Sequence, residues 1–202
     1  MPMIGFERSP EVAIIEDFIK ELQPVSVMEV GCNWGRELKH LEGLSKLYGL
    51  DKSSENIEKA KTYVKGTFKV ADASQIPFKN SKFDLVYSSG VLAHTPPEAV
   101  KPIINEIFRV AKKYILLVEY VGSRVNRNSV ENCKQNAWAH NYDLLVSTLD
   151  ANVKYNQKMF FGADCFHVVL LRKEYRKMIE TVKMVPQERK IELKIGKFKV
   201  GF

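Results

Sequence analysis

The chain has 202 residues, 45% of them apolar and 27% charged, with a net charge of +7. This is the make-up of one globular domain with at most a small appendage, long enough to bury roughly 70% of its unfolded surface. No run approaches the ~20 apolar residues that span a bilayer, and the stretch from Met1 to Phe6 has neither the basic region nor the apolar run of a secretory signal. The three cysteines, Cys32, Cys133 and Cys165, lie far apart, with no CxxC and no zinc-ligand spacing. They read as reduced thiols of a cytoplasmic protein, and no metal site is expected.

The positive charge is uneven. Residues 172–202 hold ten Lys/Arg and four Glu, a net +6, so the first 171 residues sum to about +1. A basic tail can be a nucleic-acid footprint or a solvated face.

Ser9-Pro10-Glu11 reads as a helix start, with Ser as N-cap and Pro at the first helical position. Val12, Ile15, Phe18, Ile19 and Leu22 follow at helical spacing until Pro24. Val25 to Val30 is a short apolar strand, Gly31 and Gly35 bracket a turn, and Arg36 to Leu44 reads as a helix. Lys46 to Leu50 is a second strand ending at Asp51. Ser53 or Ser54 caps a helix that carries Ile57, Ala60 and Tyr63/Val64. Thr67 to Val70 is a third strand, followed by Ala71-Asp72-Ala73, and Phe83 to Tyr87 a fourth. Thr95 to Glu98 caps a long helix with Val100, Ile103/Ile104, Ile107 and Val110. Tyr114 to Val118 is apolar throughout, as a central strand is. Residues 120–136 read as a long polar loop, Ala137 to Leu149 as a helix, and Val153–Phe161 and Cys165–Leu171 as an antiparallel pair closing one sheet edge. Leu171, Tyr175, Met178, Ile179 and Val182 then form a helical stripe, and Ile191 to Phe202 alternates like a bulged strand or small hairpin. The alternation of strands and helices predicts a mainly parallel sheet with helices on both faces.

A strand, a glycine turn and a helix start make a place for a nucleotide-like ligand, because glycine permits positive φ and close backbone approach. Dinucleotides and S-adenosylmethionine are the two classes that use such a turn, each with an acidic residue about 20 positions on. Asp51 stands 20 residues after Gly31, where a carboxylate can accept from both ribose hydroxyls. Gly31-Cys-Asn-Trp-Gly35 lacks the third glycine on which a pyrophosphate rests, and Trp34 occupies the room it needs. Glu29 suits a cationic amino group, and Asp72 could meet an exocyclic amine. Three acidic groups around the turn fit a cationic sulfonium better than an anion.

Val27-Met-Glu-Val-Gly-Cys-Asn-Trp-Gly35, Gly49-Leu-Asp51, Val70-Ala-Asp-Ala73, Ile76-Pro-Phe78 and Phe83-Asp-Leu-Val-Tyr-Ser-Ser-Gly-Val-Leu92 resemble, in order and spacing, the motifs of class I S-adenosylmethionine-dependent methyltransferases. The resemblance covers roughly residues 10–171. Gly90-Val-Leu-Ala-His-Thr-Pro-Pro-Glu98 and Tyr114 to Tyr120 look most like methylases associated with pseudaminic acid and other surface-sugar biosynthesis. What this implies is an α/β, Rossmann-like fold with a mostly parallel seven-stranded sheet and helices on both faces, spanning residues 1–171. A basic helix and strand extension follows over 172–202.

By the same resemblance S-adenosylmethionine is the cofactor. Glu29, Gly31 and Gly35 would hold its methionine end, Asp51 its ribose, and Asp72 and Ala73 its adenine; Cys32, Asn33 and Lys52 would also touch it, and Trp34 would cover it or else pack in the core. Ser88 and Ser89 would lie beside the transferred methyl. Many family members have glycine where this chain has Asn33, which can adopt the same left-handed backbone. The Asn/Asp-Pro-Pro-Tyr/Phe motif of amino-methylating enzymes is absent; Ser88-Ser-Gly-Val91 stands in its place.

Methyl transfer to an oxygen needs a base, and His94 is the candidate, with helix capping or packing against the cofactor as its alternative. Glu119 and Tyr120 leave the fifth strand at the same rim and could orient an acceptor. His140, Tyr142, Arg124 and Arg127 are candidates for the acceptor pocket or for surface, and His167 reads as structural. The expected acceptor is a small molecule, in particular a sugar or sugar nucleotide. The rival is RNA or protein docked on the basic tail, and the alternating terminal strand is a candidate for homo-oligomer contact.

Overall fold

In the computed structural model, which describes residues 9–120, 138, 140–161 and 164–173, the strand–helix alternation becomes one sheet. Its strands are β1 (Ser26–Val30), β2 (Lys46–Asp51), β3 (Thr67–Val70), β4 (Phe83–Ser89), β5 (Ala111–Tyr120), β6 (Ala151–Phe161) and β7 (Asp164–Lys173). The seven described strands run in the order β3-β2-β1-β4-β5-β7-β6. β1 to β5 are parallel, and β7 is antiparallel to both β5 and β6. The helices are α1 (Pro10–Leu22), α2 (Arg36–His40), α3 (Ser54–Tyr63), α4 (Pro97–Val110) and α5 (Tyr142–Ser147), with a 3-10 turn at Leu92–His94.

The period-2 alternation of the central strands sorts their side chains into two cores. Val27, Leu85, Tyr87, Leu116 and Val118 face α1, α2 and α3, where they meet Ile15, Phe18, Leu38 and Ile57. Met28, Val30, Val86, Ile115 and Leu117 face α4 and α5, where they meet Ile104, Ile107 and Tyr142. Each fully buried aliphatic side chain contributes about 1.5–3 kcal/mol, which explains why the apolar stripes of α1 and α4 predict their places so well. The chain order reverses beside β1, between β2 and β4. In such sheets ligands bind at the carboxyl ends of the strands flanking that reversal. Gly31, Asp51 and Ser89 lie there.

Several boundaries differ from expectation. α2 ends at His40, not Leu44, because the chain turns through residues 41–44 and Gly43 takes φ +85°. Ser9 holds the N-cap position of α1, but its hydroxyl makes no capping bond; Pro10 supplies the expected start. Thr95 does not cap α4. Its hydroxyl donates to the Val91 carbonyl, and Pro96 holds the cap position without a side-chain bond. The helix expected from Ala137 to Leu149 is Tyr142–Ser147, capped by Asn141 Oδ1, which accepts from the Leu144 N–H at 3.0 Å. Ser53 rather than Ser54 caps α3, accepting from the Asn56 N–H at 3.2 Å.

Two cations fasten the margins of the sheet. Arg109 of α4 donates to the carbonyls of Ile76 and Phe78, both at 2.8 Å, and so fixes the Ile76-Pro77-Phe78 segment downstream of Asp72. Lys173 donates to the carbonyls of Phe108 and Ala111 at 2.8 and 2.9 Å, where α4 ends and β5 begins. β7 therefore runs two residues past the expected limit at 171, and Leu171 lies in a strand rather than in a helical stripe. The rest of the basic extension, its alternating strand, Arg124, Arg127 and Cys133 lie outside the described residues. Among the described residues no helix is long and apolar enough to cross a membrane. Lys173→Met is expected to lower stability by about 1–3 kcal/mol, the worth of its charge-assisted hydrogen bonds, read as a lower urea midpoint without a changed slope.

Candidate active site

The turn after β1 is built by four backbone features. Gly31 has φ +75°, and a Cβ there would stand 2.5 Å from Val91 Cγ2, so glycine is required twice over. The N–H groups of Gly31 and Cys32 donate to the Leu50 carbonyl at 2.8 and 2.9 Å, fixing the turn to the end of β2. Asn33 takes the expected left-handed backbone, φ 49°. Its side-chain oxygen accepts from the Trp34 N–H at 2.9 Å, which supports that conformation. The Asn33 N–H donates to Asp51 Oδ2 at 2.9 Å, and Asp51 Oδ1 accepts from the Ser53 N–H at 2.9 Å.

A cleft of about 590 Å³ opens over this turn. Glu29, Gly31, Cys32, Asn33, Trp34, Asp51, Lys52, Asp72, Ala73, Ser89, His94 and Tyr120 all line it, as the motif reading expects. Cys32 does so while its side chain is buried in the core. Trp34 packs edge-on against Tyr63 of α3, with ring centroids 5.2 Å apart. Asp72 is exposed. The hydroxyl and backbone N–H of Ser74 donate to its Oδ1 at 2.6 and 2.8 Å and hold its carboxyl below the usual range.

Three expected residues lie elsewhere. Gly35, with φ +85°, is not on the wall of the cleft: it starts α2, and a Cβ there would stand 2.8 Å from Val64 at the end of α3. Its role is packing rather than ligand contact. Ser88 and Glu119 are fully buried behind the wall. Ser88 Oγ donates to Glu119 Oε1 at 2.6 Å, and Glu119 Oε2 accepts from the Leu92 N–H at 3.0 Å. Glu119 therefore does not orient an acceptor at the rim. It anchors the 3-10 turn Leu92–His94, which carries His94 into the cleft.

The same turn is held from its other side. His140 Nε2 donates to the carbonyls of Leu92 and Thr95 at 2.9 and 3.0 Å, and the Trp138 N–H donates to Ala93 at 2.8 Å. His140 thus fastens the site rather than lining it. Tyr142 is buried, with His167 edge-on at 5.5 Å, and His167 bonds Asn156 at 2.6 Å, the structural role expected of it. Tyr120 remains at the rim, its ring packed at a tilt of 40° against Phe166, with centroids 4.6 Å apart. Gly90, φ +62°, leaves room for that ring, since a Cβ would approach it to 2.9 Å.

Three further residues on the wall carry no signal in the motif reading: Glu11 of α1, and Arg36 and Glu37 of α2. Arg36 Nη2 donates to Glu11 Oε1 at 3.1 Å and reaches Glu37 Oε1 at 3.5 Å. Arg36 and Glu37 could have been found by their place directly after the glycine turn. Glu11 could not, because only the packing of α1 brings it there. The donor set fits S-adenosylmethionine: carboxylates from β1, β2 and the loop after β3 line one cleft, and Glu29 Oε2 is buried without a hydrogen-bond partner.

Burial pushes the Glu119 carboxyl up to about 7, against the lowering effect of the Ser88 and Leu92 bonds. A carboxyl raised in the fold stabilises it most at low pH, and that contribution is lost as pH rises through 7. Glu119→Gln keeps an acceptor for Leu92 and a donor for Ser88 without the charge. The variant should match wild type near pH 4 and gain on it by up to about 3 kcal/mol near pH 8, measured by urea unfolding at both pH values.

Comparison with known proteins agrees with this geometry. Residues 27–114 match the family described as Methyltransferase domain. An uncharacterised protein of Haemophilus influenzae is 34% identical over 110 residues, covering 48% of this chain and 43% of that protein. The chloroplastic tocopherol O-methyltransferase of Arabidopsis thaliana is 31% identical over 114 residues, covering 52% of this chain and 32% of the relative. The chain thus spans less than half the length of these relatives. Among solved structures, magnesium protoporphyrin IX methyltransferase of Synechocystis PCC 6803 with bound S-adenosylmethionine superposes with a TM-score of 0.64 at 18% identity, over 81% of this chain and 78% of that one. The 1,6-didemethyltoxoflavin-N1-methyltransferase of Burkholderia thailandensis gives 0.63 at 16% identity, over 81% and 77%. Residues 27–114 are similar to the methyltransferase-domain family by sequence, and the described residues share the fold of solved S-adenosylmethionine-dependent methyltransferases.

Proposed function

We propose that the chain is an S-adenosylmethionine-dependent methyltransferase acting on a small-molecule acceptor in the cytoplasm, of the sugar or sugar-nucleotide class to which the motif resemblance points. The observation that carries the reading is the set of three carboxylates, Glu29, Asp51 and Asp72, that lie near the carboxyl ends of the first three strands and line one cleft beside the Gly31 turn. Such a lining favours a cation and repels a dinucleotide pyrophosphate. Relatives that act on tocopherol and structural neighbours that act on a porphyrin and on a toxoflavin precursor support a small acceptor.

Bound there, the cofactor supplies a methyl group activated by positively charged sulfur. The residues of the chain do the rest. Asp51, held by two backbone N–H groups, presents its remaining lone pairs to the ribose hydroxyls. Asp72 and Ala73 meet the adenine. His94, exposed on the anchored 3-10 turn, takes the proton of an acceptor hydroxyl, and Tyr120 lines the same cleft. Glu119 acts through that turn as a positioning residue.

Two measurements test this. S-adenosylhomocysteine is expected to bind the protein, and Asp51→Ala to weaken that binding tenfold or more, about 1.4 kcal/mol or above; unchanged affinity overturns the cofactor assignment. Methyl label from S-adenosylmethionine, supplied with a cell extract, is expected in a nuclease- and protease-resistant small-molecule fraction. His94→Ala should lower that transfer by about 10²–10⁴ while leaving S-adenosylhomocysteine affinity intact. Label in RNA or protein would move the acceptor to the macromolecular class.

A further inference from the structure

On its buried side the cleft is bounded by a pair of carboxyl groups from different elements. Glu29, on β1, is 3% exposed, and the Glu37 side chain, in the first turn of α2, is 12% exposed. Each keeps one oxygen, Oε2, buried without a hydrogen-bond partner. A buried acceptor left without a donor costs about 1–3 kcal/mol and is rare in folded proteins. Here two stand side by side on the wall of a ligand cleft.

The groups that face the pair do not neutralise it. Arg36 is the cation beside it, and its Nη2 is shared between Glu11 of α1 at 3.1 Å and Glu37 Oε1 at 3.5 Å, one positive charge against three carboxyls. Tyr87 and Ser89 of β4 lie beside Glu29 and Glu37 respectively, and the Tyr87 hydroxyl is itself buried without a hydrogen-bond partner. Cys32 of the turn adds a buried thiol, and β5 adds Tyr120 and the buried Glu119. Two adjacent buried carboxyls that share a single guanidinium with Glu11 cannot both ionise, so one proton stays between them. Burial holds both above the usual carboxylate range; Glu37 raises Glu29 further, while the bonds of Glu37 to Glu29 and Ser89 and the charge of Arg36 offset part of the rise at Glu37.

Resting on the cofactor reading above, we propose that Glu29 and Glu37 together form a primary-ammonium site in which the α-ammonium of the cofactor, or of its demethylated product, exchanges with the proton shared by the two carboxyls. The ammonium keeps its own three hydrogens and donates to the partnerless oxygens. One carboxyl O–H breaks, its proton passes to solvent, and both carboxylates end ionised against the incoming positive charge. Glu29 belongs to the turn motif. Glu37 is the added ligand, and the coupling to proton release follows from the two being neighbours.

The test is calorimetry of S-adenosylhomocysteine binding to the full chain, near pH 6, in two buffers of different ionisation enthalpy. Methylthioadenosine, which has the same nucleoside but no amino-acid group, serves as control. Release of about one proton per S-adenosylhomocysteine is expected, with affinity rising roughly tenfold per pH unit while the pair titrates. Methylthioadenosine should show neither effect. Glu37→Gln leaves a donor against Glu29 and no shared proton. It should abolish the release, flatten the pH dependence and weaken S-adenosylhomocysteine about tenfold or more near pH 8, with methylthioadenosine affinity unchanged. If the variant does not fold, the proton count on the wild-type chain and the methylthioadenosine control decide alone. Binding of S-adenosylhomocysteine without proton release, and with equal affinity in the variant, overturns the exchange site and leaves the cofactor reading standing. Failure of both ligands to bind the wild-type chain overturns the two together.

Discussion

The cleft depends on one carboxylate. Asp51 ends β2 and accepts two backbone N–H groups, one from Asn33 in the turn after β1 and one from Ser53 at the start of α3. That pair of bonds ties the first strand–turn–helix unit to the second at the point where the cleft opens. Gly31 completes the tie, because its left-handed backbone lets its N–H and that of Cys32 reach the Leu50 carbonyl. A longer side chain at position 31 would meet Val91, so the turn after β1 and the segment after β4 constrain each other across the cleft. Ligand geometry in this fold is thus a by-product of how adjacent parallel strands terminate.

The acidic groups of the cleft are not equivalent, and burial separates them. Asp72 is exposed and held by Ser74, and it is ionised well into the acid range. Glu29 and Glu37 are buried beside each other and retain a proton where Asp72 has lost its own. A ligand spanning the cleft would meet hydrogen-bond acceptors of fixed charge at one end and a charge that adjusts at the other. Glu119 shows the same physics with a different outcome: buried and bonded to Ser88 and Leu92, it shapes the wall without facing the cleft.

The parts legible in the sequence are those set by short-range rules. Apolar runs gave the strands, helical stripes gave α1, α3 and α4, and the glycine turn with an acid 20 residues on located the ligand edge. What failed was depth. Glu119 and Ser88 each stand near the end of a strand, which reads as rim. β5 runs on through Tyr120, however, and β7 pairs with it to that point, so the polar side chains are enclosed. Gly35 looked like part of the ligand turn because glycine spacing does not tell a backbone that meets a ligand from one that meets Val64. Glu11 was invisible for a different reason: its nearest partner, Arg36, is 25 residues away, and no local pattern encodes that meeting. His140 is a similar case, with its two acceptors 48 and 45 residues upstream.

The fastening of the 3-10 turn by Trp138 and His140 also bears on the order of assembly during synthesis. Every carboxylate assigned to the cofactor lies at or before residue 72, and the parallel strands that present them are complete at Tyr120. The bonds from Trp138 and His140 form only when a later segment has returned to the sheet. Non-local closures of this kind come late, because the loop entropy is lost before the contact is gained. A nascent chain emerging from the ribosome would therefore acquire the groups that grip a cofactor before the turn carrying His94 is locked, so that affinity and chemical competence arise at different moments in the life of the same polypeptide.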